Sequence, residues 1–158
     1  MRKMRLEKQA LSHEECEKLL VKNSNGILCL MGDEKYPYGV PVNYVYYDEK
    51  IYFHSAPKGH KAEILNRFPD ICFTVVDKDD VVPEKFTSLF KSVIVRGTVR
   101  KAEGIEYDKA FRAFVEKYAG NMPDEVKDNA IKNCGCGLAV VYAADIAEIT
   151  GKQAEELI

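Results

Sequence analysis

The sequence predicts a mainly β (α+β) fold, an antiparallel β-barrel of about six strands with two or three peripheral helices. Short runs rich in β-branched and aromatic residues follow one another closely, turn residues separate them, and few segments have helical spacing. Strands in such close order are typical of antiparallel barrels and not of alternating βαβ units. The sequence also lacks the G-x-G-x-x-G and Walker motifs of nucleotide-binding α/β proteins.

Length and composition are those of an ordinary globular domain. The chain has 158 residues, of which 46% are hydrophobic and 30% are charged, and this is enough for a sizeable core. We expect a single domain over residues 1–158, with residues 1–10 as an N-terminal tail. The net charge of −2 gives no general attraction to nucleic acid, and no apolar run is long enough to span a bilayer. We therefore expect neither nucleic acid nor membrane as a partner.

The chain has five cysteines: Cys16, Cys29, Cys72, Cys134 and Cys136. The odd count, with Cys29 and Cys72 inside apolar strands, argues against a secreted disulfide framework and favours a cytoplasmic setting. We expect Cys29 and Cys72 to be small core residues. Cys134 and Cys136 form the one close pair, but no second pair supplies the four ligands of a structural zinc site. We therefore predict no metal.

The first helix and the first strand have clear local signals. Ser12 and Glu15 have the spacing of a capping box, which predicts a helix that begins there and stops at Asn25-Gly26. Residues 27–31 are continuously apolar, which is typical of a strand buried on both faces.

Residues 38–47 predict a long strand that contains a proline. Because proline is tolerated in a strand only at an edge or a bulge, we expect the sheet to be interrupted near Pro41. A ligand can reach main-chain groups where a sheet is interrupted. Pro41, Val42, Asn43 and Tyr44 are therefore candidate ligand-binding residues.

The later segments complete the predicted barrel. The aromatic stripe of residues 107–118 has helical spacing, and we interpret it as core or dimer packing and not as a cofactor site. The other predicted elements are a strand at 51–55, a helix at 60–68, a strand at 71–76, a charged loop at 77–85, a strand at 89–101, a helix from Pro123 and a final strand at 138–149.

The corner after strand 51–55 has the residues of an anion site. The hydroxyl of Ser55 can donate to a phosphate oxygen, and Lys58 and Lys61 can supply positive charge. Gly59 allows the backbone to approach a ligand closely, and His60 opens a helix whose free N–H groups favour an anion. These residues predict a site for a phosphate-bearing cofactor, and the alternative is an ordinary strand–turn–helix corner with solvated lysines.

His54 precedes this corner directly. Its ring could line a ligand, hydrogen-bond within the barrel or ligate haem iron, and the first two roles are favoured.

Four motifs in register resemble one family. They are Gly39-Val40-Pro41-Val42-Asn43-Tyr44, then residues 51–56 with Gly59 and Lys61, then Phe90-Lys91-Ser92-Val93-Ile94-Val95-Arg96-Gly97, and finally Ile149-Thr150-Gly151-Lys152. The chain resembles the pyridoxamine 5'-phosphate oxidase-like FMN-binding split-barrel flavoproteins, in particular their nitroimidazole-resistance branch, over roughly residues 12–152.

This resemblance implies a six-stranded split β-barrel that forms a homodimer, with FMN in grooves between the subunits. It implies that His54, Ser55 and Ala56 lie along the flavin and its phosphate tail. Lys61 would pair with the phosphate, assisted by Lys58 and His60.

Asn43 and Tyr44 would face the isoalloxazine, and Ser92 and Val93 would contact the cofactor from a neighbouring strand. The arginine-rich substrate contacts of the vitamin B6 oxidases have no counterpart in this sequence.

Three functions are compatible with these observations. The first is an FMN-dependent reductase or oxidase of small electrophilic or nitroaromatic compounds, with a nicotinamide as a possible electron donor and no assigned catalytic side chain. The second is a haem-binding or haem-handling protein on the same barrel, with His54 or His60 as iron ligand. The third is a flavin carrier or redox sensor without turnover, in which Cys134 and Cys136 respond to oxidants.

Overall fold

The computed structural model describes residues 4–32, 35–134 and 139–158. Within these ranges the strands are β1 (Asn25–Leu30), β2 (Tyr38–Tyr47), β3 (Lys50–Ser55), β4 (Asp70–Val82), β5 (Thr87–Lys101) and β6 (Val140–Gln153). The helices are α1 (His13–Lys22), α2 (His60–Arg67), α3 (Gly104–Ala119) and α4 (Asp124–Cys134). None of the described helices is long and apolar enough to cross a membrane.

The six strands close into one barrel in the order β1-β2-β3-β6-β5-β4, and every neighbouring pair is antiparallel. Pairing of β1 with β4 closes the circle. The predicted six-stranded antiparallel barrel is confirmed, although the described chain has four α-helices where two or three were expected. The predicted capping box is also confirmed, because Ser12 N–H donates to Glu15 Oε2 at 2.8 Å and Glu15 N–H to Ser12 Oγ at 3.2 Å.

Alternation along the strands separates two apolar layers. The barrel interior is filled by one side of each strand and includes Leu28, Tyr44, Phe53, Phe73 and Val95, all of which are fully buried. A second cluster lies outside the barrel, where α3 covers the outer faces of β2, β3 and β6; it comprises Val45, Tyr52, Ala102, Ala110, Phe114, Val141 and Ala143. The helix α3 therefore covers only one side of the barrel.

The strand β1 is not buried on both faces, contrary to the expectation from its apolar run. Leu28 and Leu30 face the interior, whereas Ile27 is 40% exposed and Cys29 is half-buried on the outside. Cys72 of β4 is likewise half-buried on the outer face. The prediction that Cys29 and Cys72 are core residues is therefore wrong, because apolar composition does not reveal which face of a strand a helix covers.

The expected interruption near Pro41 is also wrong for the β1–β2 pairing. The strand β2 is unbroken, and Pro41 lies opposite Ile27 in a regular register. On its other edge β2 pairs with β3 only from Tyr44, which lies opposite Phe53. Proline is tolerated because this part of β2 has a single paired neighbour. Residues 38–43 of β2 and residues 54–55 of β3 therefore have no partner in the other strand, and the barrel is split between them.

Residues 77–85 are not a loop. The strand β4 continues to Val82, which pairs with Thr87 of β5, and the turn is the short 3₁₀ segment Pro83–Lys85. This two-stranded arm extends past the strands that pair with β4 and β5 in the barrel. Apart from an irregularity at Asp77, the charged side chains of the arm do not interrupt its ladder.

Candidate functional site

The predicted strand–turn–helix corner is present. β3 ends at Ser55, and Gly59 is the N-cap of α2 with φ 119° and ψ 170°, a conformation that is essentially restricted to glycine. The Gly59 carbonyl accepts from Glu63 N–H at 3.0 Å, which closes the first turn of α2. Ala56, Lys58, Gly59 and His60 are exposed, whereas Ser55 and Lys61 are half-buried.

Lys61 carries a charge without a counter-charge. It has no hydrogen bond or ion pair with any of the residues that the structure describes, and burial lowers the pKa of its ammonium group. A cation that is partly removed from water without an anionic partner is costly, and a bound anion relieves that cost. Lys61 is therefore suited to hold a phosphate or carboxylate ligand.

His54 connects this corner with the outer surface under α3. Its ring stands edge-on to the ring of Phe114, with centroids 5.4 Å apart and an interplanar angle of 70°. Burial lowers the pKa of His54, and the nearby charge of Lys61 lowers it further. The imidazole is therefore neutral at pH 7 and can donate one hydrogen bond and accept another.

A cavity of about 410 Å³ opens beside His54. This volume lies in the range of small-molecule sites, and apolar walls with a few polar groups are typical of them. The split between β2 and β3 leaves Asn43 and His54 facing outward, and the C-terminal half of α3 supplies the apolar wall. The lining residues are Asn43, His54, Phe111, Phe114, Val115, Tyr118, Ala119 and Ala139.

The aromatic stripe of α3 therefore lines a cavity as well as packing. Phe114 belongs to the cluster between α3 and the barrel, as predicted, but Phe111, Phe114 and Tyr118 also border the cavity. Sequence reasoning assigned these residues to packing alone. Helical periodicity shows that a helix has an apolar face but does not show where the surface beneath that face ends.

Tyr118 attaches α3 to the barrel. Its hydroxyl accepts from Tyr44 N–H at 3.0 Å, and it lies 2.8 Å from the Tyr44 carbonyl and within contact of the Ser24 carbonyl. Tyr44 lies just beyond the end of the β1–β2 ladder, which begins at Asn25 opposite Asn43. The Tyr118 hydroxyl thus satisfies backbone groups of Tyr44 that have no partner in β1.

Tyr118→Phe is expected to lower the free energy of unfolding by about 1–3 kcal/mol, because it leaves the partly buried backbone donor of Tyr44 unsatisfied. Urea unfolding followed by circular dichroism measures the change. Tyr36→Phe is the matched control, since Tyr36 is 67% exposed, and it should change stability by less than about 0.5 kcal/mol. Equal stability of the two variants would contradict the attachment role of Tyr118.

Three of the predicted site residues have side chains inside the barrel. Val42 is 9% exposed, and Tyr44 and Val93 are fully buried. The Tyr44 hydroxyl donates to the Leu20 carbonyl at 2.7 Å. Pro41 lies on the outer face with Asn43, but only Asn43 lines the cavity.

Within one chain, Ser92 and the corner lie next to opposite ends of β6. Ser55 pairs with Val140 at the start of β6, whereas Ser92 pairs with Lys152 near its end. Val140 and Lys152 are twelve positions apart, which is roughly 40 Å of path along the strand at about 3.3 Å per residue. A single subunit therefore places the two predicted groups of cofactor contacts next to opposite ends of β6.

Lys117 is a notable residue that sequence reasoning did not select. Its Nζ is buried without a hydrogen-bond partner among the described residues, and it lies 4.2 Å from the centroid of the Tyr44 ring. Burial lowers the pKa of Lys117 to about 8. It borders a second groove, of about 640 Å³, between α3 and β2. A lysine on an amphipathic helix gives no sequence signal for such an environment.

The prediction that Cys134 and Cys136 respond to oxidants remains a prediction. Cys134 is the last residue of α4, and Cys136 lies outside the described residues. Among the residues that are described, no group of three or more metal-ligating side chains comes together.

Comparison with protein families gives a match over nearly the whole chain. The family model described as pyridoxamine 5'-phosphate oxidase matches residues 12–153. Among curated proteins, none matches this sequence.

Several solved structures share the fold. A conserved hypothetical protein from Mycobacterium tuberculosis has a TM-score of 0.80 at 19% identity, covering 99% of this chain and 92% of that one. A candidate 5-nitroimidazole antibiotic resistance protein from Bacteroides thetaiotaomicron has a TM-score of 0.72 at 22% identity, with coverages of 91% and 86%. A FAD and haem binding protein from Mycobacterium smegmatis has a TM-score of 0.69 at 16% identity, with coverages of 94% and 74%. Identities this low establish a common fold alone.

Proposed function

This chain belongs to the pyridoxamine 5'-phosphate oxidase family, and we propose that it is an FMN-binding flavoprotein that reduces or oxidises small electrophilic or nitroaromatic compounds. The observation that carries the proposal is Lys61, a half-buried cation with no anionic partner in the described chain, next to a ligand-sized cavity. The structural neighbours support the class of function, because one is a candidate nitroimidazole resistance protein and another binds FAD and haem.

The corner and the cavity suit the two ends of a flavin mononucleotide. Lys61, the Ser55 hydroxyl and the N–H groups at the start of α2 would hold the phosphate, and Lys58 would add positive charge at the rim. The apolar wall from Phe111 and Phe114 suits a planar aromatic ring system. The residues present therefore fit the cofactor.

The protein's own residues bind and orient, and the bound flavin would supply the redox chemistry. The α3 wall keeps water from one side of the cavity, which strengthens polar interactions within it. The neutral imidazole of His54 can hold a proton at one ring nitrogen and accept a hydrogen bond at the other. A nicotinamide is the proposed electron donor.

A homodimer is part of the proposal, because two predicted groups of cofactor contacts lie at opposite ends of β6. A second copy would bring its Ser92 to the corner at Ser55 and Lys61. The arm formed by β4 and β5 begins next to Ser92 and carries exposed apolar side chains: Val76 is 58%, Val81 is 70% and Phe86 is 99% exposed. Exposed apolar residues on a projecting arm favour burial against another chain.

The first experiment is to purify the protein without added cofactor, record its absorption spectrum and identify the molecule released on denaturation. We expect a yellow protein that releases FMN, or a colourless one that binds added FMN more tightly than FAD or riboflavin. Failure to bind any flavin on reconstitution would overturn the proposal. Flavin binding without oxidation of NADH or NADPH in the presence of a nitroaromatic acceptor would instead indicate a flavin carrier.

The affinity for FMN should depend on the protonation of Lys61. Since burial lowers the pKa of Lys61, its ammonium loses the proton at a lower pH than a surface lysine does. We expect FMN affinity to fall as pH rises through that lowered pKa, and the decline should be absent in Lys61→Met. Stability of the apoprotein should change in the opposite direction, because the unfolded chain binds this proton more tightly. Fluorescence titrations across a pH series measure the affinity.

Haem is a second candidate ligand, favoured by one observation. His54 lines the cavity with a neutral imidazole, the form that ligates iron. Haem titration of the wild type and of His54→Ala tests whether His54 ligates the iron. A Soret shift that is lost in the variant would support ligation by His54. An identical spectrum in both proteins would exclude His54 as the ligand.

A further inference from the structure

Two cysteines face each other across the seam that closes the barrel. Cys29 of β1 and Cys72 of β4 are directly opposite partners in the antiparallel register. Both are free thiols and both are half-buried on the outer face of the barrel. Burial raises the pKa of Cys29, and the neighbouring Cys72 raises it further.

The barrel core fixes this pairing. The adjacent partners in the same ladder are Leu28 with Phe73 and Leu30 with Ile71, and all four side chains are buried inside the barrel. A slip of one residue would turn these side chains to the solvent and the cysteines to the core. The free energy of the core therefore holds the two thiols opposite each other.

The distance across an antiparallel pair is compatible with a disulfide. Opposite Cα atoms are about 4.5–5.5 Å apart, within the usual range of about 4.4–6.8 Å for a disulfide. The Cβ atoms, at about 4.5–5.5 Å, must approach to about 3.5–4.5 Å. Closing the bond therefore strains the ladder slightly, and strained, partly exposed disulfides are the ones that are readily reduced.

The surroundings leave access to this pair from outside the barrel. Gly39 of β2 lies opposite Cys29 on its other side, and it has no side chain to cover the thiol. On the far side of Cys72 lies Arg96 of β5, whose guanidinium pairs with Glu148 at 3.5 Å. The covering helix α3 packs on the other side of the barrel, over β2, β3 and β6.

We propose that Cys29 and Cys72 form a redox-active dithiol site that reacts with hydroperoxides and closes a reversible disulfide within one chain. One of the two thiols loses its proton, and the thiolate sulfur attacks the peroxide oxygen and becomes a sulfenic acid. The alkoxide, or the hydroxide from hydrogen peroxide, takes up a proton and leaves as an alcohol or as water. The second thiol then attacks that sulfur, the S–S bond forms and water leaves. In total, two thiols and one hydroperoxide give one disulfide, one alcohol and one water. A low-molecular-weight thiol restores the pair.

The test treats the purified full-length protein with hydrogen peroxide and compares non-reduced peptide maps by mass spectrometry. A Cys134→Ser/Cys136→Ser background removes the other close cysteine pair. We expect a linked peptide containing Cys29 and Cys72, a loss of two titratable thiols per chain and a higher melting temperature. Dithiothreitol should reverse all three changes.

Matched variants separate this pair from the remaining cysteine. Cys29→Ser and Cys72→Ser should each abolish the linked peptide and the rise in melting temperature. Cys16→Ser, which changes a buried cysteine of α1, should retain both if the variant folds. Thiol counting under native conditions, where the buried Cys16 does not react, separates the pair from Cys16 without this variant. If all three thiols of this background remain after oxidation, counted in the denatured protein, or if a link joins two chains on a non-reducing gel, the proposal is overturned.

Discussion

Lys61→Met is expected to weaken FMN binding by about 1.5–3 kcal/mol, roughly ten- to hundredfold in the dissociation constant. The reason is the loss of a charge-assisted hydrogen bond from a half-buried ammonium that has no other anionic partner in the part of the chain described. Methionine keeps most of the length and apolar stem of the side chain, so packing is largely retained. Quenching of flavin fluorescence on titration with apoprotein measures the affinity.

Lys58→Met is the matched control for this prediction. Lys58 lies on the same corner but is exposed, where solvent and salt screen its attraction to a phosphate. We expect a smaller loss of affinity, one that diminishes further at high ionic strength. Wild-type affinity in Lys61→Met would mean that the phosphate binds elsewhere, and equal losses in both variants would point to general attraction and not to a built site.

Phe53→Ala is expected to lower the free energy of unfolding by about 3–5 kcal/mol, the usual cost of deleting a buried aromatic ring. Phe53 is fully buried in the barrel and stacks on Tyr142, with ring centroids 5.3 Å apart. It also precedes His54, so loosening this strand should disturb the cavity as well as the core. Urea unfolding measures the stability, and flavin titration of the folded variant measures the site.

Phe86→Ala provides the control with the same change of side chain. Phe86 is 99% exposed at the tip of the β4–β5 arm, so the monomeric chain should lose less than about 0.5 kcal/mol. If the arm packs against a second copy, as proposed, the same substitution should weaken dimerisation, which analytical ultracentrifugation detects. A Phe53→Ala variant as stable as Phe86→Ala would contradict the assigned core.

Local signals predicted the elements that depend on a few neighbouring residues. The capping box at Ser12 and Glu15 and the helix start after Gly59 both appear where the sequence predicted them. In these cases the hydrogen bonds or backbone angles that decide the structure lie within four or five residues. The strand at residues 38–47 was also predicted with its observed bounds, because aromatic and β-branched residues predominate in it.

The errors share a different cause. The outward position of Cys29 and the continuation of β4 past Asp77 both depend on which strands and helices lie next to a segment. The apolar stripe of α3 was interpreted as packing alone, although three of its aromatic residues reach past the barrel surface and line a cavity. None of these neighbours can be identified from periodicity in one segment.

The sequence by itself determined the barrel and the cationic corner between β3 and α2, because alternation, capping and turn chemistry act over short distances along the chain. Only the tertiary structure decided that Lys61 has no anionic partner in the described chain, that His54 faces a cavity under α3 and that Cys29 meets Cys72 across the seam. Burial, charge and reactivity depend on atoms that are close in space and distant in sequence. Folding sets those distances through strand register, which the packing of the barrel core fixes as a whole.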